Sequence, residues 1–243
     1  MKNYTQVEVV WESFRRPISR RLSILPDLLH TPKHPFMELA KTYKIETERL
    51  IIRCYHPKDA VLLKRSIDES IDHLLPWMPW ARNEPESLEN KIERLRKYRG
   101  QFDLGEDYVF GIFNKKEDKL IGSTGLHTRA GENAREIGYW INAHEIGKGY
   151  ALEAASALTK VGFEIEGLDR IEIQCAPDNI RSQNIPRKLG FLQEAILRNR
   201  TVDSSGMKRD VMIWTLFREE YLERAAHFQS VRAYNLIEEE IIG

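Results

Sequence analysis

The sequence has little cysteine and no familiar metal-binding motif. Cys54 and Cys175 are the only two cysteines in 243 residues, and both lie in apolar, strand-like runs. Neither has the spacing of a metal ligand, so we interpret both as buried free thiols, which suits a reducing cytosol. No HExxH or CxxC pattern occurs. The sequence therefore predicts a cytoplasmic protein without a metal centre.

The sequence also lacks an excess of one charge and any long hydrophobic run. Lysine and arginine together number 37, as do aspartate and glutamate, so the formal net charge is zero. Such a balance creates no global field that would attract nucleic acid or an anionic membrane. No apolar run approaches the roughly 20 residues of a membrane-spanning helix. We therefore expect neither nucleic acid nor a membrane as a partner.

The two ends of the chain differ from its middle in composition and in the spacing of their apolar residues. Prolines at positions 17, 26, 32 and 35 interrupt the first 44 residues, and the run from Arg15 to Arg21 is locally basic. A basic run of this kind is more typical of a solvated surface than of an RNA contact. We predict an N-terminal extension over residues 1–44. Apolar spacing after Arg218 predicts a helical tail over residues 221–243.

Hydrophobic periodicity predicts alternating strands and helices between these segments. The predicted strands cover residues 49–55, 107–114, 119–128, 135–141, 170–176, 191–201 and 207–217. The predicted helices cover residues 57–70, 86–102, 150–165 and 181–189, the last ending at Gly190 as a C-cap glycine should. The loop over 72–80 is too rich in proline for a helix.

The most informative segment is a strand followed by a glycine-containing loop and a helix. Gly147 and Gly149 follow the strand over 135–141, and the helix begins directly after them. The first backbone N–H groups of a helix lack partners within it, and the helix dipole places partial positive charge there. Such a loop is a ready-made anion site, although Gly-Lys-Gly alone is equally compatible with a simple turn.

The residues after this loop complete a strand–helix–strand unit. Apolar residues recur at three- and four-residue spacing from Ala151 to Ile165, and the strand over 170–176 follows. Two strands joined by a helix are typically parallel, with a right-handed crossover. The glycine loop would then lie at the carboxyl end of the first strand, where open α/β sheets bind ligands.

At this point the chain resembles the GNAT superfamily of acyl-CoA N-acyltransferases, and it is most similar to the ribosomal-protein, Rim-type branch. The resemblance covers roughly residues 45–220, and His144 departs from the Gln or Arg that usually begins the phosphate loop. It rests on Glu136-Ile-Gly-Tyr-Trp-Ile141, Gly147-Lys-Gly-Tyr-Ala151, Pro177-Asp-Asn-x-x-Ser182, Lys188-Leu-Gly-Phe191, Glu48-Arg-Leu-Ile-Ile-Arg53, Leu75-Pro-Trp-Met-Pro-Trp80 and Gly206-Met-Lys-Arg-Asp210.

The resemblance implies an α/β fold with a mixed, mostly antiparallel central sheet, a βαβ unit that binds coenzyme A, and flanking helices. It implies acetyl-CoA as the co-substrate, with a backbone N–H near Ile141 or Asn142 facing the thioester oxygen. Lys148 is compatible both with a phosphate contact and with a solvent-facing lysine. The implied cofactor-binding residues are Trp140, Ile141, Asn142, Gly147, Lys148, Gly149, Tyr150, Ala151, Asn179 and Ser182.

Two residues carry the catalytic roles that the resemblance implies. Glu136 occupies the position of a superfamily general base, although an edge-strand glutamate in a surface ion pair is an equally common reading. Ser182 is the candidate general acid for the leaving thiolate, because other branches use a tyrosine where this chain has Pro186. An N-cap serine is the alternative for Ser182, and a loop asparagine that satisfies its own turn is the alternative for Asn179.

The expected reaction is direct transfer of acetyl from acetyl-CoA to a primary amine, since no nucleophile–base arrangement suggests a covalent enzyme intermediate. The leading acceptor is the N-terminal α-amine of a ribosomal or similar protein, with Trp77 and Trp80 walling its pocket. A small-molecule amine acetyltransferase and a catalytically silent CoA-binding module remain alternatives. The sequence leaves a homo-oligomer open.

Overall fold

The computed structural model describes residues 42–203 and 205–242. They form a ten-stranded sheet in the order β10-β9-β1-β2-β3-β4-β5-β6-β8-β7. The strands are β1 Lys44–Glu46, β2 Leu50–Cys54, β3 Tyr108–Asn114, β4 Leu120–His127, β5 Ala134–Ile141, β6 Arg170–Cys175, β7 Leu192–Val202, β8 Lys208–Phe217, β9 Arg232–Tyr234 and β10 Glu240–Ile242. The helices are α1 Ala60–Asp68, α2 Ile71–Leu74, α3 Leu88–Asp103, α4 Tyr150–Glu164, α5 Ile180–Leu189 and α6 Arg218–Arg224.

The predicted elements of the middle of the chain agree with these bounds, and local capping explains several of them. The Ser87 side chain accepts a hydrogen bond from the backbone N–H of Asn90 at 3.2 Å and so begins α3. Gly190 has φ +79° and ends α5 in the left-handed conformation that glycine tolerates. The prediction that the proline-rich segment 72–80 is too rich in proline for a helix was partly wrong, because most of the four-residue helix α2 lies in it. The predicted extension over 1–44 lies, except for its last three residues, outside the described residues.

The sheet is mixed, and its strands are antiparallel except for one pair. Strands β5 and β6 are parallel, paired from Ala134 with Arg170 to Glu136 with Glu172. Helix α4 connects them, so the predicted βαβ unit is present. The fold class expected from the sequence, a mostly antiparallel mixed sheet with flanking helices, is confirmed.

The helices cover the two faces of the sheet and bury a core on each. Helix α4 packs through small and branched residues on the face that carries Ile137 and Ile141. The close approach needs Gly162, since a Cβ there would lie 2.7 Å from the Ile171 side chain. Helices α1 and α3 cover the opposite face, where Leu95 is fully buried. None of the helices within 42–203 and 205–242 is long and apolar enough to span a membrane.

The tail is where the secondary structure differs most from expectation. Helix α6 ends at Arg224, and β9 and β10 follow instead of further helix. Strand β9 pairs antiparallel with β1, which aligns Ala233 with Ile45, and both of these residues are fully buried. The tail therefore extends the sheet, and its apolar residues complete the core above β1.

This arrangement predicts that a charge at position 233 destabilises the whole domain. In Ala233→Asp an unpaired carboxylate would be buried, so we expect the free energy of unfolding to fall by at least about 2 kcal/mol in urea titration. Leu236→Asp is the matched control, because Leu236 is 51% exposed and should tolerate the change. Equal stability of the two variants would show that β9 is not part of the sheet.

Candidate active site

The central feature of the site is a gap between β5 and β6. Their pairing ends at Glu136 and Glu172, although β6 continues to Cys175. Strand β5 continues to Ile141, and over this stretch it remains paired with β4 on its other side. The two parallel strands therefore separate at their carboxyl ends, as a splayed sheet would.

Backbone hydrogen bonds along β5 point alternately to its two neighbouring strands, and this alternation shows which backbone groups face the gap. The Asn142 N–H donates to the Ile121 carbonyl oxygen at 2.8 Å, on the β4 side. Asp169 N–H donates to the Asn133 carbonyl oxygen at 3.0 Å, on the β6 side. Backbone groups alternate between the two sides along a strand, so even-numbered residues bond to β4 and odd-numbered residues point toward β6. The groups left without a strand partner at the gap are the carbonyl of Ile137 and the N–H and carbonyl groups of Tyr139 and Ile141.

A cavity of about 480 Å³ runs along this gap. Its walls come from α1, α3, the segment 77–80, strands β4 and β5, the end of β6 and the start of α5. It therefore joins the face covered by α1 and α3 to the beginning of α5 on the other side of the sheet. The predicted site residues Trp77, Trp80, Glu136, Trp140, Asn179 and Ser182 all line it, whereas Ile141, Asn142 and the glycine loop do not.

On this face the floor of the cavity, here called the trough, is formed by residues of β4 and β5. Three cross-strand pairs of β4 and β5 share this face, and they are Ser123 with Trp140, Gly125 with Gly138, and His127 with Glu136. A Cβ at Gly125 would lie 2.8 Å from the His127 ring, and a Cβ at Gly138 would lie 3.2 Å from it. The two glycines thus give the His127 ring room to lie against the sheet, and the trough runs from this polar end to the aromatic end at Trp140.

The polar end holds a His–Asp pair that the sequence analysis missed. His127 Nδ1 lies 2.9 Å from a carboxylate oxygen of Asp107, and both residues line the cavity. Burial alone would raise the pKa of Asp107, but hydrogen bonds from His127 and the backbone hold it below its ordinary value. The carboxylate is therefore ionised at neutral pH, and its contribution to stability is lost only as the pH falls through that lowered pKa.

Glu136 lies in the cavity, but its carboxylate is already engaged. Arg129 donates to it twice, from Nε at 2.7 Å and from a terminal nitrogen at 2.6 Å. The hydrogen bond to Glu136 raises the pKa of the Arg129 guanidinium. Glu136 is 7% exposed but the Arg129 side chain is 61% exposed, so the ion pair is bidentate and buried only at its carboxylate. The predicted base is thus neutralised by a partner that the sequence analysis did not name.

Ser182 lies at the other side of the gap, beside Tyr139. The two hydroxyl oxygens are 3.0 Å apart, and the Tyr139 hydroxyl also lies 3.2 Å from the Ser182 carbonyl oxygen. Burial raises the pKa of Tyr139, although its contact with Ser182 acts in the opposite direction. Tyr139 therefore keeps its proton at neutral pH and remains a hydrogen-bond donor.

Asn179, rather than Ser182, is the N-cap of α5. Its side-chain oxygen accepts a hydrogen bond from the Ser182 backbone N–H at 3.1 Å. The N-cap alternative for Ser182 is therefore wrong, and its hydroxyl is available to the cavity and to Tyr139. The Asn179 oxygen is used for capping, which leaves its amide nitrogen as the side-chain group that a ligand could still bind.

The aromatic end is built from tryptophans held in place by neighbours. The rings of Trp80 and Trp140 lie 6.1 Å apart, and the Arg209 guanidinium lies 5.1 Å from the Trp77 ring centre. Tyr55 also lines the cavity and is 1% exposed. Its hydroxyl has no hydrogen-bond partner of ordinary geometry among the described residues, while burial raises its pKa and nearby Ser123 opposes that effect.

The glycine loop has the backbone geometry expected of an anion site. Gly147 has φ +78°, and Gly149, the N-cap of α4, has φ +83°. No side chain caps α4, so its first N–H groups remain available. Arg49 lies beneath the loop and donates to the Lys148 carbonyl oxygen at 2.9 Å. The Lys148 side chain pairs with Glu145 at 2.8 Å and is about half exposed.

Of the two backbone donors expected near the thioester oxygen, that of Asn142 points away from the gap. Asn142 is 1% exposed, its N–H bonds to Ile121, and its carbonyl oxygen accepts from Glu145 N–H at 2.8 Å. Its side chain donates to the Ser66 hydroxyl at 3.0 Å and accepts from His144 N–H at 2.9 Å. Its polar groups thus bond to β4, to the loop itself and to Ser66 of α1, so Ile141 is left as the backbone donor that faces the gap.

Metal-ligating side chains do not cluster in the part of the chain that the structure describes. Among residues 42–203 and 205–242, no group of three or more histidine, cysteine, aspartate or glutamate side chains is arranged to hold a metal ion.

Comparison with known proteins identifies the family. The model of the acetyltransferase (GNAT) domain matches residues 49–192. Bacillus subtilis (strain 168) YdaF, whose name proposes a ribosomal N-acetyltransferase, is 31% identical over 176 residues, which cover 72% of this chain and 94% of YdaF. The chain belongs to the GNAT acetyltransferase family. It is an N-acetyltransferase, and the resemblance to the Rim-type branch is confirmed.

Two further GNAT proteins extend the comparison. The Escherichia coli (strain K12) [ribosomal protein uS5]-alanine N-acetyltransferase is 28% identical over 162 residues, covering 64% of this chain and 81% of that enzyme. The structure of Mycobacterium smegmatis RimJ in complex with CoA-disulfide has the same fold, with a TM-score of 0.64 and 22% identity over 77% of this chain and 91% of RimJ.

Proposed function

We propose that this enzyme transfers acetyl from acetyl-CoA to the N-terminal α-amine of a protein. The observation that carries the proposal is the cavity along the gap between β5 and β6. It connects a trough suited to an amine with Ser182 and Tyr139 on the far side of the sheet. A thioester lying in the gap would be open to attack from the trough, while its sulfur would face the two hydroxyls.

The donor would be held mainly by backbone groups. An amide-containing pantetheine arm can bond to the groups of Tyr139 and Ile141 that have no strand partner, as an extra strand would. Its pyrophosphate suits the uncapped N-terminus of α4 and the glycine loop. The CoA complex of the related RimJ supports this choice of co-substrate.

The leaving thiolate needs a hydrogen bond more than a strong acid. A thiol has an ordinary pKa of about 8.5, and serine and buried tyrosine hydroxyls are weaker acids, so full proton transfer from them is uphill. We therefore assign Ser182 as a hydrogen-bond donor to the developing thiolate. Tyr139 would position the Ser182 hydroxyl by donating to its oxygen.

A peptide acceptor is supported by the space beyond the trough. A second cavity of about 260 Å³ lies past Trp77, and it shares Trp77, Pro79 and residues 174–176 with the first. It continues along the β7–β8 hairpin, so a chain attached to the amine has room to leave the site. The ribosomal-protein names of YdaF and the uS5-alanine enzyme point to the same class of acceptor.

The direct test is an acetylation assay with matched acceptors. Ribosomal N-terminal peptides are incubated with acetyl-CoA beside the same peptides with a blocked N-terminus and an internal lysine, and beside polyamines and amino sugars. Thiol release gives the rate, and mass spectrometry locates the acetyl group. We expect rapid acetylation of the free α-amine alone. Preferred acetylation of small amines would contradict the peptide assignment, and CoA binding without any turnover would contradict the reaction.

The phosphate loop predicts a specific loss of CoA affinity. In Gly149→Ala, a Cβ at φ +83° would lie 3.4 Å from Arg49 and strain the loop, so we expect the Kd for CoA in calorimetry to rise about tenfold. Gly167→Ala carries similar backbone strain, at φ +72°, in a turn with open space, and should leave the Kd unchanged. Equal CoA affinity in both variants would argue against the loop as the pyrophosphate site.

The hydroxyl pair predicts coupled effects on turnover. We expect Ser182→Ala to lower kcat about 100-fold and Tyr139→Phe about tenfold, because one contacts the leaving group and the other acts through it. The double variant should be no slower than Ser182→Ala, since the two residues act as a unit. Fully additive losses in steady-state kinetics would show that the two hydroxyls act independently. That result would contradict the proposal that Tyr139 acts through Ser182.

A further inference from the structure

The polar end of the trough contains a histidine nitrogen that no other group in the described part of the chain contacts by a hydrogen bond. His127 Nε2 lies above the glycine pair of β4 and β5, and it has no hydrogen-bond partner among the described residues. We infer that His127 is a catalytic residue whose Nε2 atom takes the proton of the attacking amine. The inference rests on the proposed function, because it assigns the base for that same reaction.

The state of the ring follows from Asp107. A carboxylate only accepts hydrogen bonds, so the proton of the neutral imidazole must be on Nδ1, and Nε2 carries the lone pair. Asp107 is itself fixed, because it also accepts from the Thr128 backbone N–H at 3.3 Å. Asp107 is therefore a positioning residue that sets both the tautomer and the orientation of His127.

The position of Nε2 depends on the two glycines beneath it. A Cβ at position 125 or 138 would lie within 3.2 Å of the ring, so glycine at both positions allows the imidazole to pack closely against the sheet. His127 also lines the cavity, so an amine in the cavity would meet the ring on its side away from the two glycines. The glycine pair thus positions the base at the floor of the cavity.

The charges around His127 favour it over Glu136 as the base. Arg129 binds both oxygens of Glu136, so a proton placed there would have to displace a bidentate ion pair. Arg94, from α3, also faces the cavity, but it pairs with Glu86 at 2.7 Å. The charged groups that face His127 are therefore Asp107, the neutralised Arg129–Glu136 pair and the paired Arg94.

The proton balance of the step is simple. The amine nitrogen attacks the thioester carbonyl carbon, the C–S bond breaks, and the nitrogen loses one proton to Nε2. The thiolate leaves with a hydrogen bond from Ser182, and the proton on His127 returns through solvent to give the thiol. An α-amine with an ordinary pKa near 8 is partly neutral at neutral pH, so a positioned base that takes one proton as the C–N bond forms is sufficient.

The test compares two nucleophiles in one peptide sequence, an N-terminal α-amine and an aminooxy group, which is already neutral at neutral pH. We expect His127→Gln to lower kcat about 100-fold with the amine and much less with the aminooxy peptide. Asp107→Asn should give a smaller loss with the same selectivity. His227→Gln, an exposed histidine outside the cavity, is the matched control and should match the unmodified enzyme.

Each other outcome overturns the inference in a different way. Equal losses with both nucleophiles would mean that His127 only shapes the trough. Full activity in His127→Gln, with Glu136→Gln inactive, would identify Glu136 as the general base instead. CoA binding by the unmodified enzyme without acetylation of either peptide would remove the proposed function, and the inference with it. Thermal melts of both His127→Gln and Asp107→Asn distinguish a lost base from a lost fold.

Discussion

The site depends on one constraint, the early end of pairing between the two parallel strands. Unpaired backbone groups inside a protein are costly, so a sheet opens only where both strands are held from their other sides. Here β5 stays paired with β4 to Ile141, and β6 stays paired with β8 through all six of its residues. Helices α4 and α5 begin at the carboxyl ends of these strands, where ligands of open α/β sheets bind. The gap therefore brings backbone donors, two helix N-termini and a cavity together.

Strand β5 divides the chemistry of the site between the two faces of the sheet. Because side chains alternate along a strand, Tyr139 points to the face of α4 and α5, where it meets Ser182. Glu136 and Gly138 point to the opposite face, where His127 and the tryptophans surround the trough. Leaving-group contacts and acceptor contacts thus come from neighbouring residues of one strand. This division between the two faces explains how an amine can reach the acyl group of a thioester in the gap while the sulfur of the thioester lies beside the hydroxyls of Tyr139 and Ser182.

The sequence predicted the βαβ unit well because its strands, glycine loop and helix carry strong local signals. The tail was mispredicted because β9 is only three residues long and is a strand by virtue of pairing with β1, a contact across most of the chain. Ile141 and Asn142 stayed alternatives as backbone donors because the residues of a strand do not reveal which of its N–H groups point to which neighbour. Asp107 and His127 were missed as a pair, although a signal existed. They lie at the open end of the predicted β3–β4 hairpin, which brings residues 20 positions apart face to face.

The central claim is that donor and acceptor meet in the gap between β5 and β6. The most direct measurement is a crystal structure with a bisubstrate analogue, in which CoA is joined through an acetyl bridge to the N-terminal nitrogen of a ribosomal peptide. The account predicts a pantetheine arm bonded to the backbone of Tyr139 and Ile141, sulfur beside Ser182, and the peptide nitrogen in the trough beside His127 Nε2. An analogue that binds with its arm outside the gap, or with its peptide away from the trough, would contradict the account.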